Sequence, residues 1–467
     1  MKQQQQPTSL VSSILAVSFA PSSNVNAYPQ SNANKVALKL ANAIKFKTIS
    51  QDDPDIKTDY QPFTDFIQYL QQAFPVLHSH LNREIINNYS MLYRWDGSNP
   101  ALKPFFINCH YDVVPVDMSG WSVDPFGGVI KDGYVWGRGS IDNKLIVISA
   151  MEAIETLLNR SYVPERTLYL AIGHDEEIGG YNGHKMISAH VQSLGITAEM
   201  ILDEGIPLLQ AGFLPGLNTT TALLGVNEKG YVYFNITATA PGGHSSMPPS
   251  QQSPIGILAK AVTAFESNPL PPPNSTLYPN QFLDQFTQQQ IETIPFLDYM
   301  RRTTTTVTMF RSGIKPNVLP TTATAWISHR VVPGDDVDAI IERNNRLIND
   351  TRIKVIIDAK LPPSPYSSPA AKPFKAVKQC IKKIFGQDVN VKSGLMFANT
   401  DTRYYWPVSP NIYRIMPCVV NSQGLAMLHG YNEKLAITDL VKAVSFYQHI
   451  IRKFNNIDLD TTITDID

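Results

Sequence analysis

Apolar and polar positions along the chain fall into blocks whose period changes. Ser31–Lys45 and Tyr60–Phe74 repeat apolar residues at helical spacing and predict two amphipathic helices. Tyr89–Trp95 predicts a strand, closed by Gly97-Ser98-Asn99-Pro100. The following run, Phe105–Cys109, reads as a buried strand that ends in His110-Tyr111-Asp112 and stops at Pro115. Further apolar runs at Tyr134–Trp136, Thr167–Ile172 and Ala198–Leu202 predict strands, with helices over Leu145–Leu158 and Tyr181–Leu194. Strands alternating with helices at this spacing predict a mostly parallel, helix-covered sheet.

The pattern shifts near Glu228-Lys229-Gly230. Tyr231–Ala240 alternates as a strand with one exposed face, and a helix is predicted over Pro254–Phe265. Strands Thr304–Phe310 and Thr322–Arg330, helix Asp336–Asn349 and strand Lys354–Ile357 follow. Strand-helix-strand-strand-helix-strand is the order of a small ferredoxin-like α/β sandwich. The Pro- and Gln-rich connection Asn268–Gln290 reads as a mobile loop. A Pro/Ser linker, Leu361–Pro369, leads to helices over Phe374–Phe385 and Ile437–Phe454. The expected division is a leader over 1–30, a main domain over 31–229 and 361–467, and an inserted lid or dimerisation domain over 230–360.

Chemistry collects where apolar runs stop. His110 and Asp112 stand two apart and so face one side of an extended chain. Asp142 follows Gly137-Arg138-Gly139-Ser140-Ile141; Gly173-His174-Asp175-Glu176-Glu177 closes the next run, and Asp203-Glu204-Gly205 the one after. In open α/β sheets, sites form at the carboxyl ends of strands. Adjacent acids on a tight turn repel one another unless a cation compensates. One such run reads as a solvated acidic loop; four in one half of the chain read as a site.

Bulk properties narrow the field. A chain of 467 residues exceeds one ordinary core, and 43% hydrophobic content suits a globular protein. With 39 basic and 40 acidic residues, a net charge of −1 gives no footprint for nucleic acid or a membrane surface. Cys109, Cys380 and Cys418 make no disulfide framework and no zinc knuckle. Leu10–Ala20, with Val25-Asn26-Ala27 after it, reads as a weak secretory signal or short anchor. Sequons begin at Asn88, Asn159, Asn218, Asn235, Asn274 and Asn349 and permit a secreted or vacuolar location. Membrane attachment would require the leader to be retained.

With these residues in view, the chain resembles the two-zinc aminoacylase and carboxypeptidase family, from about Lys35 to the final helix. The spellings that carry the resemblance are Gly173-His174-Asp175-Glu176-Glu177, Glu228-Lys229-Gly230, Gly242-Gly243-His244-Ser245-Ser246 and Leu428-His429-Gly430-Tyr431-Asn432-Glu433. The resemblance implies two zinc ions per subunit, bridged by Asp142. His110 and Asp203 would complete one metal, and Glu177 and His429 the other. Glu176 would be the general base toward the metal-bridging water, and Asp112 would orient His110. His244 would steady the oxyanion, often in the partner subunit's site, which implies a homodimer through the inserted domain. Arg403 matches a substrate-carboxylate arginine, Asn317 matches a lid asparagine, and Arg330 reads as structural. Asn143 stands where many relatives have a second Asp.

The implied activity is hydrolysis of short peptides or N-acyl amino acids. Carboxypeptidase and aminoacylase share this centre, and N-fatty-acyl amino-acid hydrolysis or synthesis is the alternative. A non-catalytic dimeric binding protein predicts loss of Glu176 or a ligand, and all are present. A serine hydrolase would need a Gly-x-Ser-x-Gly elbow, which the chain lacks.

Overall fold

A computed structural model describes residues 29–455, apart from 54, 249 and 274–279. The signal-like leader and the sequon at Asn274 lie outside the described residues. No helix among these residues is long and apolar enough to cross a membrane.

The main body is built on an eight-stranded sheet. Its strands run in the order Asn82–Ile86, Ser90–Trp95, Leu168–Gly173, Phe105–His110, Met200–Leu209, Ile412–Val420, Thr221–Glu228, Asn390–Met396. Phe105–His110 pairs in parallel with Leu168–Gly173 and with the start of Met200–Leu209, which pairs in parallel with Ile412–Val420. Only one edge is a consistently antiparallel ladder. Every residue of the three central strands is buried, as expected of strands covered by helices on both faces. Helices Ala33–Ile44, Lys144–Leu158 and Ile437–Asn455 pack together on one of those faces. Their buried residues join one large core with the sheet. Tyr134–Trp136 is not part of this sheet. Three residues long, with Tyr134 exposed, it joins a small antiparallel ribbon with Val129–Lys131 and Lys434–Ala436.

The inserted unit is a four-stranded antiparallel sheet, ordered Thr304–Ser312, Thr322–Val331, Gly230–Thr239, Ile353–Leu361. Helices Pro254–Ser267 and Val337–Ile348 cover it, around a separate core that includes Val232, Phe234, Leu258 and Ile327. The element order is the one expected from the sequence.

Of the expected mobile loop Asn268–Gln290, residues 274–279 lie outside the described residues, and the part after them is anchored. Phe282 and Phe286, with Leu297 and Met300 of the next helix, are buried in the core of the main body. Thr287 and Gln290 form a capping box that starts a short helix over Gln288–Thr293. Pro and Gln dominate the composition here and mask the anchoring aromatics. The inserted unit is therefore strapped to the body by a segment in its middle as well as by its two ends.

His329 is fully buried in the inserted unit, bonded to Thr305 and Asn344. Burial pushes its imidazole down to about 4. The unfolded chain then takes up the proton first as pH falls, so stability is complete above the ordinary value and is lost between about 6.5 and 4. Between about pH 7 and 4 the protein will lose about 3 kcal/mol more than His329→Gln does, read by urea unfolding. Equal losses would contradict this assignment.

Candidate metal centre

His110 is the last residue of a buried strand, so its side chain emerges where the sheet ends. Its Nδ1–H donates to Asp112, 3.1 Å from the backbone carbonyl and 3.2 Å from Oδ1. That bond fixes the ring and turns Nε2 inward. Nε2 lies 3.3 Å from Asp142 Oδ1 and 3.3 Å from Glu204 Oε2. The other oxygen of Asp142 serves the second histidine: His429 Nε2 is 3.1 Å from Asp142 Oδ2 and 3.1 Å from Glu177 Oε2. One carboxylate thus stands between two imidazoles, each backed by a further acid.

Asp112 does more than hold His110. Its carboxylate also accepts the backbone N–H groups of Glu176 and Glu177, each at 3.1 Å, and the Ser50 hydroxyl at 2.7 Å. The histidine strand and the acidic turn are therefore set by one buried group. Glu176 and Glu177 are neighbours on that turn but diverge. Glu177 joins His110 and Asp142, whereas Glu176 lies with His110 and Glu204, each set having its ligand atoms within 4.8 Å of one another.

The sequence expectation placed Asp203, not Glu204, beside His110. In the structure Asp203 Oδ1 accepts the backbone N–H of Glu204 at 2.8 Å, and its Oδ2 is buried without a partner. Consecutive side chains on a strand face opposite sides, so only one of the two can meet His110. That alternation was readable in the sequence; the register that selects Glu204 was not. Asn143, at the departure from the commoner Asp, donates its amide to Glu204 Oε2 at 2.5 Å. A carboxylate there would repel Glu204 instead.

The charges test whether a cation fits. Burial opposes ionisation of Asp142, but His110 and His429 hold its carboxyl below the usual range. Bonds to Asp142 and Glu177 push His429 up to about 10. Burial, with Asp142 beside it, pushes Glu177 up to about 7. Burial and the nearby Glu204 and Asp401 push Glu176 well above the ordinary range. His110 Nε2 is buried between the carboxylate oxygens of Asp142 and Glu204, each at 3.3 Å. Acids that can ionise only by holding protons on their imidazoles, crowded around the two ring nitrogens, fit a divalent cation. Oxygen and imidazole donors suit Zn²⁺.

Arg403 lies on the turn Asp401–Tyr404, which is pinned by a bond from Tyr404 Oη to the Gly179 carbonyl at 2.6 Å. Its guanidinium is nearly buried, its Nε has no partner among the described residues, and Asp401 stands 4.0 Å away. Burial opposes its charge, but Asp401 and Glu176 hold it protonated. Gly180 makes this approach possible: φ is +66°, and a Cβ would stand 1.8 Å from Asp401 Oδ1. Gly180→Ala will lower stability by about 1–3 kcal/mol and displace the Arg403 turn. An unchanged denaturation midpoint would contradict the close approach.

His244 and Asn317 are brought to each other, not to the acids. The two-residue strands Gly243–His244 and Val318–Leu319 pair, and Ser245 N–H donates to the Asn317 carbonyl. Both residues are exposed at the end of this ribbon. Among the described residues no bond links either to the acid cluster. His244 Nδ1 accepts the Ser246 N–H at 3.2 Å, so its proton sits on Nε2. Arg330 donates to Asn399 Oδ1 at 2.7 Å and stacks over Tyr233. The three cysteines are free and buried.

Comparison with known proteins agrees with this geometry. Residues 106–453 match the model of peptidase family M20/M25/M40. The chain is 44% identical over 448 residues to a probable carboxypeptidase S-like 1 of Dictyostelium discoideum, covering 95% of this chain and 92% of that one. It is 34% identical to the mouse N-fatty-acyl-amino acid synthase/hydrolase PM20D1, over 90% of this chain and 88% of that one. Human carnosine dipeptidase 1 shares the fold at a TM-score of 0.68 and 15% identity, with 91% and 97% of the two chains covered. Similarity across nearly the whole length, with histidines and acids converging at the strand ends, means that this chain belongs to the M20/M25/M40 peptidase family.

Proposed function

We propose that this protein is a metal-dependent hydrolase that cuts the amide bond next to a free carboxylate, releasing an amino acid from short peptides or N-acyl amino acids. The observation that carries this reading is Asp142, whose two oxygens face His110 and His429 separately. His110 and Glu204 would hold one zinc ion, Glu177 and His429 a second, with Asp142 between them. Bound there, zinc would polarise the amide carbonyl and acidify water.

The chain's own groups supply the rest. Asp112 holds His110 and the acidic turn in register. Glu176, adjacent to a ligand yet turned away from the Asp142 pair, takes a proton from the attacking water and delivers it to the leaving nitrogen. Arg403, whose ion pair with Asp401 is long at 4.0 Å, offers a two-pronged donor to the substrate carboxylate. The Nε2–H of His244 is free to donate to the developing oxyanion. Its place on an exposed ribbon supports delivery from a second copy of the chain, with Asn317 beside it. The exposed sequon asparagines Asn88, Asn159, Asn218 and Asn349 support a secretory route, and an endoglycosidase mobility shift tests it.

Higher identity to a carboxypeptidase S-like relative than to the N-fatty-acyl-amino acid synthase/hydrolase supports peptides over long acyl chains as substrates here; the two activities share the centre and differ in the acyl pocket. A panel of dipeptides, acetyl-amino acids and fatty-acyl amino acids ranks them, with dipeptides expected first. Amidating the terminal carboxylate will lower kcat/KM about 10–100-fold in the native enzyme, and much less in Arg403→Ala. Equal rates on acid and amide would remove the carboxylate requirement.

A further inference from the structure

The loop that carries His429 is held by a group that no metal role explains. Glu433 is completely buried, and each of its carboxylate oxygens accepts two hydrogen bonds. Oε1 takes the backbone N–H of Ile141 at 2.7 Å and of Asp142 at 3.1 Å. Oε2 takes Arg138 Nη1 at 2.8 Å and the backbone N–H of Gly139 at 3.1 Å. The Glu433 carbonyl accepts from Gly137 N–H at 2.9 Å, and Arg138 Nη2 donates to the Gly430 carbonyl at 2.7 Å. These bonds join segments up to 295 residues apart in sequence.

The two segments are those that bring Asp142 and His429 together. On the His429 side, His429 and Asn432 both have a φ of +58°, a left-handed conformation that few residues other than glycine adopt, though Asn and His do so more readily than most. The turn before Asp142 points the backbone donors of Gly139, Ile141 and Asp142 inward, and a carboxylate with room for about four bonds matches them. At the rim, Tyr431 Oη donates to Asp117 and Asn432 Oδ1 accepts from Ser122 N–H, but these bonds are exposed.

We propose that Glu433 is a positioning residue that fixes the distance and orientation between Asp142 and His429 before any metal arrives. It touches neither substrate nor metal. The proposal rests on the reading of Asp142 and His429 as metal ligands, but its first test does not. In the chelator-stripped full-length protein, hydrogen exchange at the amides of 139, 141 and 142 will be as slow as in the zinc-loaded protein. Rapid exchange confined to the stripped form would mean that metal, not Glu433, orders the turn, and would overturn the proposal whatever the enzyme cuts.

The second test separates positioning from simple burial of charge. Glu433→Gln leaves Arg138 unpaired and presents one oxygen to donors that need two. The double variant Arg138→Gln/Glu433→Gln removes the stranded charge yet still lacks the second acceptor. Both are expected to bind zinc about 10–100-fold more weakly in chelator competition, with a changed absorption spectrum when loaded with Co²⁺. The double variant will recover thermal stability without recovering affinity. Affinity returning together with stability would reduce Glu433 to a structural ion pair. Failure of both variants to fold leaves the exchange result on the native protein to decide.

Discussion

Glu176→Gln will keep its metal and lose turnover, with kcat falling about 10²–10⁴-fold and KM little changed. The amide fills the same space but cannot accept the proton of the attacking water. The neighbouring acids are why the base role is proposed for Glu176 and not Glu177. Glu177 faces His429 and the Asp142 carboxylate, where a bound cation would occupy its lone pairs. Glu176 lies with His110 and Glu204, and its backbone is fixed by Asp112. Burial and the like charges of Glu204 and Asp401 push its carboxyl well above the ordinary range, and positive charge beside it acts the other way. Metal analysis beside steady-state kinetics reads the outcome. Loss of metal in the variant would make Glu176 a ligand, and normal hydrolysis would remove it from the base role.

Glu204→Gln will lose metal and activity together, and Asp203→Asn will not. Removing Glu204 takes the one acid besides Asp142 that, among the described residues, meets His110 Nε2 within 3.3 Å. At a site built from so few donors, that loss is expected to lower zinc affinity and kcat/KM by about 100-fold or more. Asp203 already sits among groups that keep it neutral: burial, with Glu204 beside it, pushes its carboxyl up to about 8. An amide there preserves shape and removes little charge. Plasma emission analysis of the two purified variants tests the pair, and the reverse pattern would restore Asp203 as the ligand.

The difference between these neighbours marks how far the sequence could be read. Runs such as Phe105–Cys109 and Thr167–Ile172 are mostly apolar because both faces of the sheet are covered, so the central strands and their chemistry-bearing ends were legible. His110, Asp112, Asp142, Glu177 and His429 meet as expected. Glu204 was hidden because pairing register is set by distant strands, not by local composition. The segment around Phe282 and Phe286 was hidden for another reason: two aromatics suffice to anchor it, amid residues typical of loops. Glu433 was hidden because its partners lie 291 to 295 residues away. Its place in the motif was visible, but the three amides it holds belong to a fold that must exist first.

The claim underlying all of this is that hydrolysis depends on cations held between His110 and His429. The most direct measurement strips the protein with a chelator, then follows cleavage of a dipeptide while zinc is titrated back. The stripped protein is expected to be inactive, with activity rising to a plateau at about two equivalents per chain. A metal-free protein that cuts the dipeptide at the native rate would contradict the account.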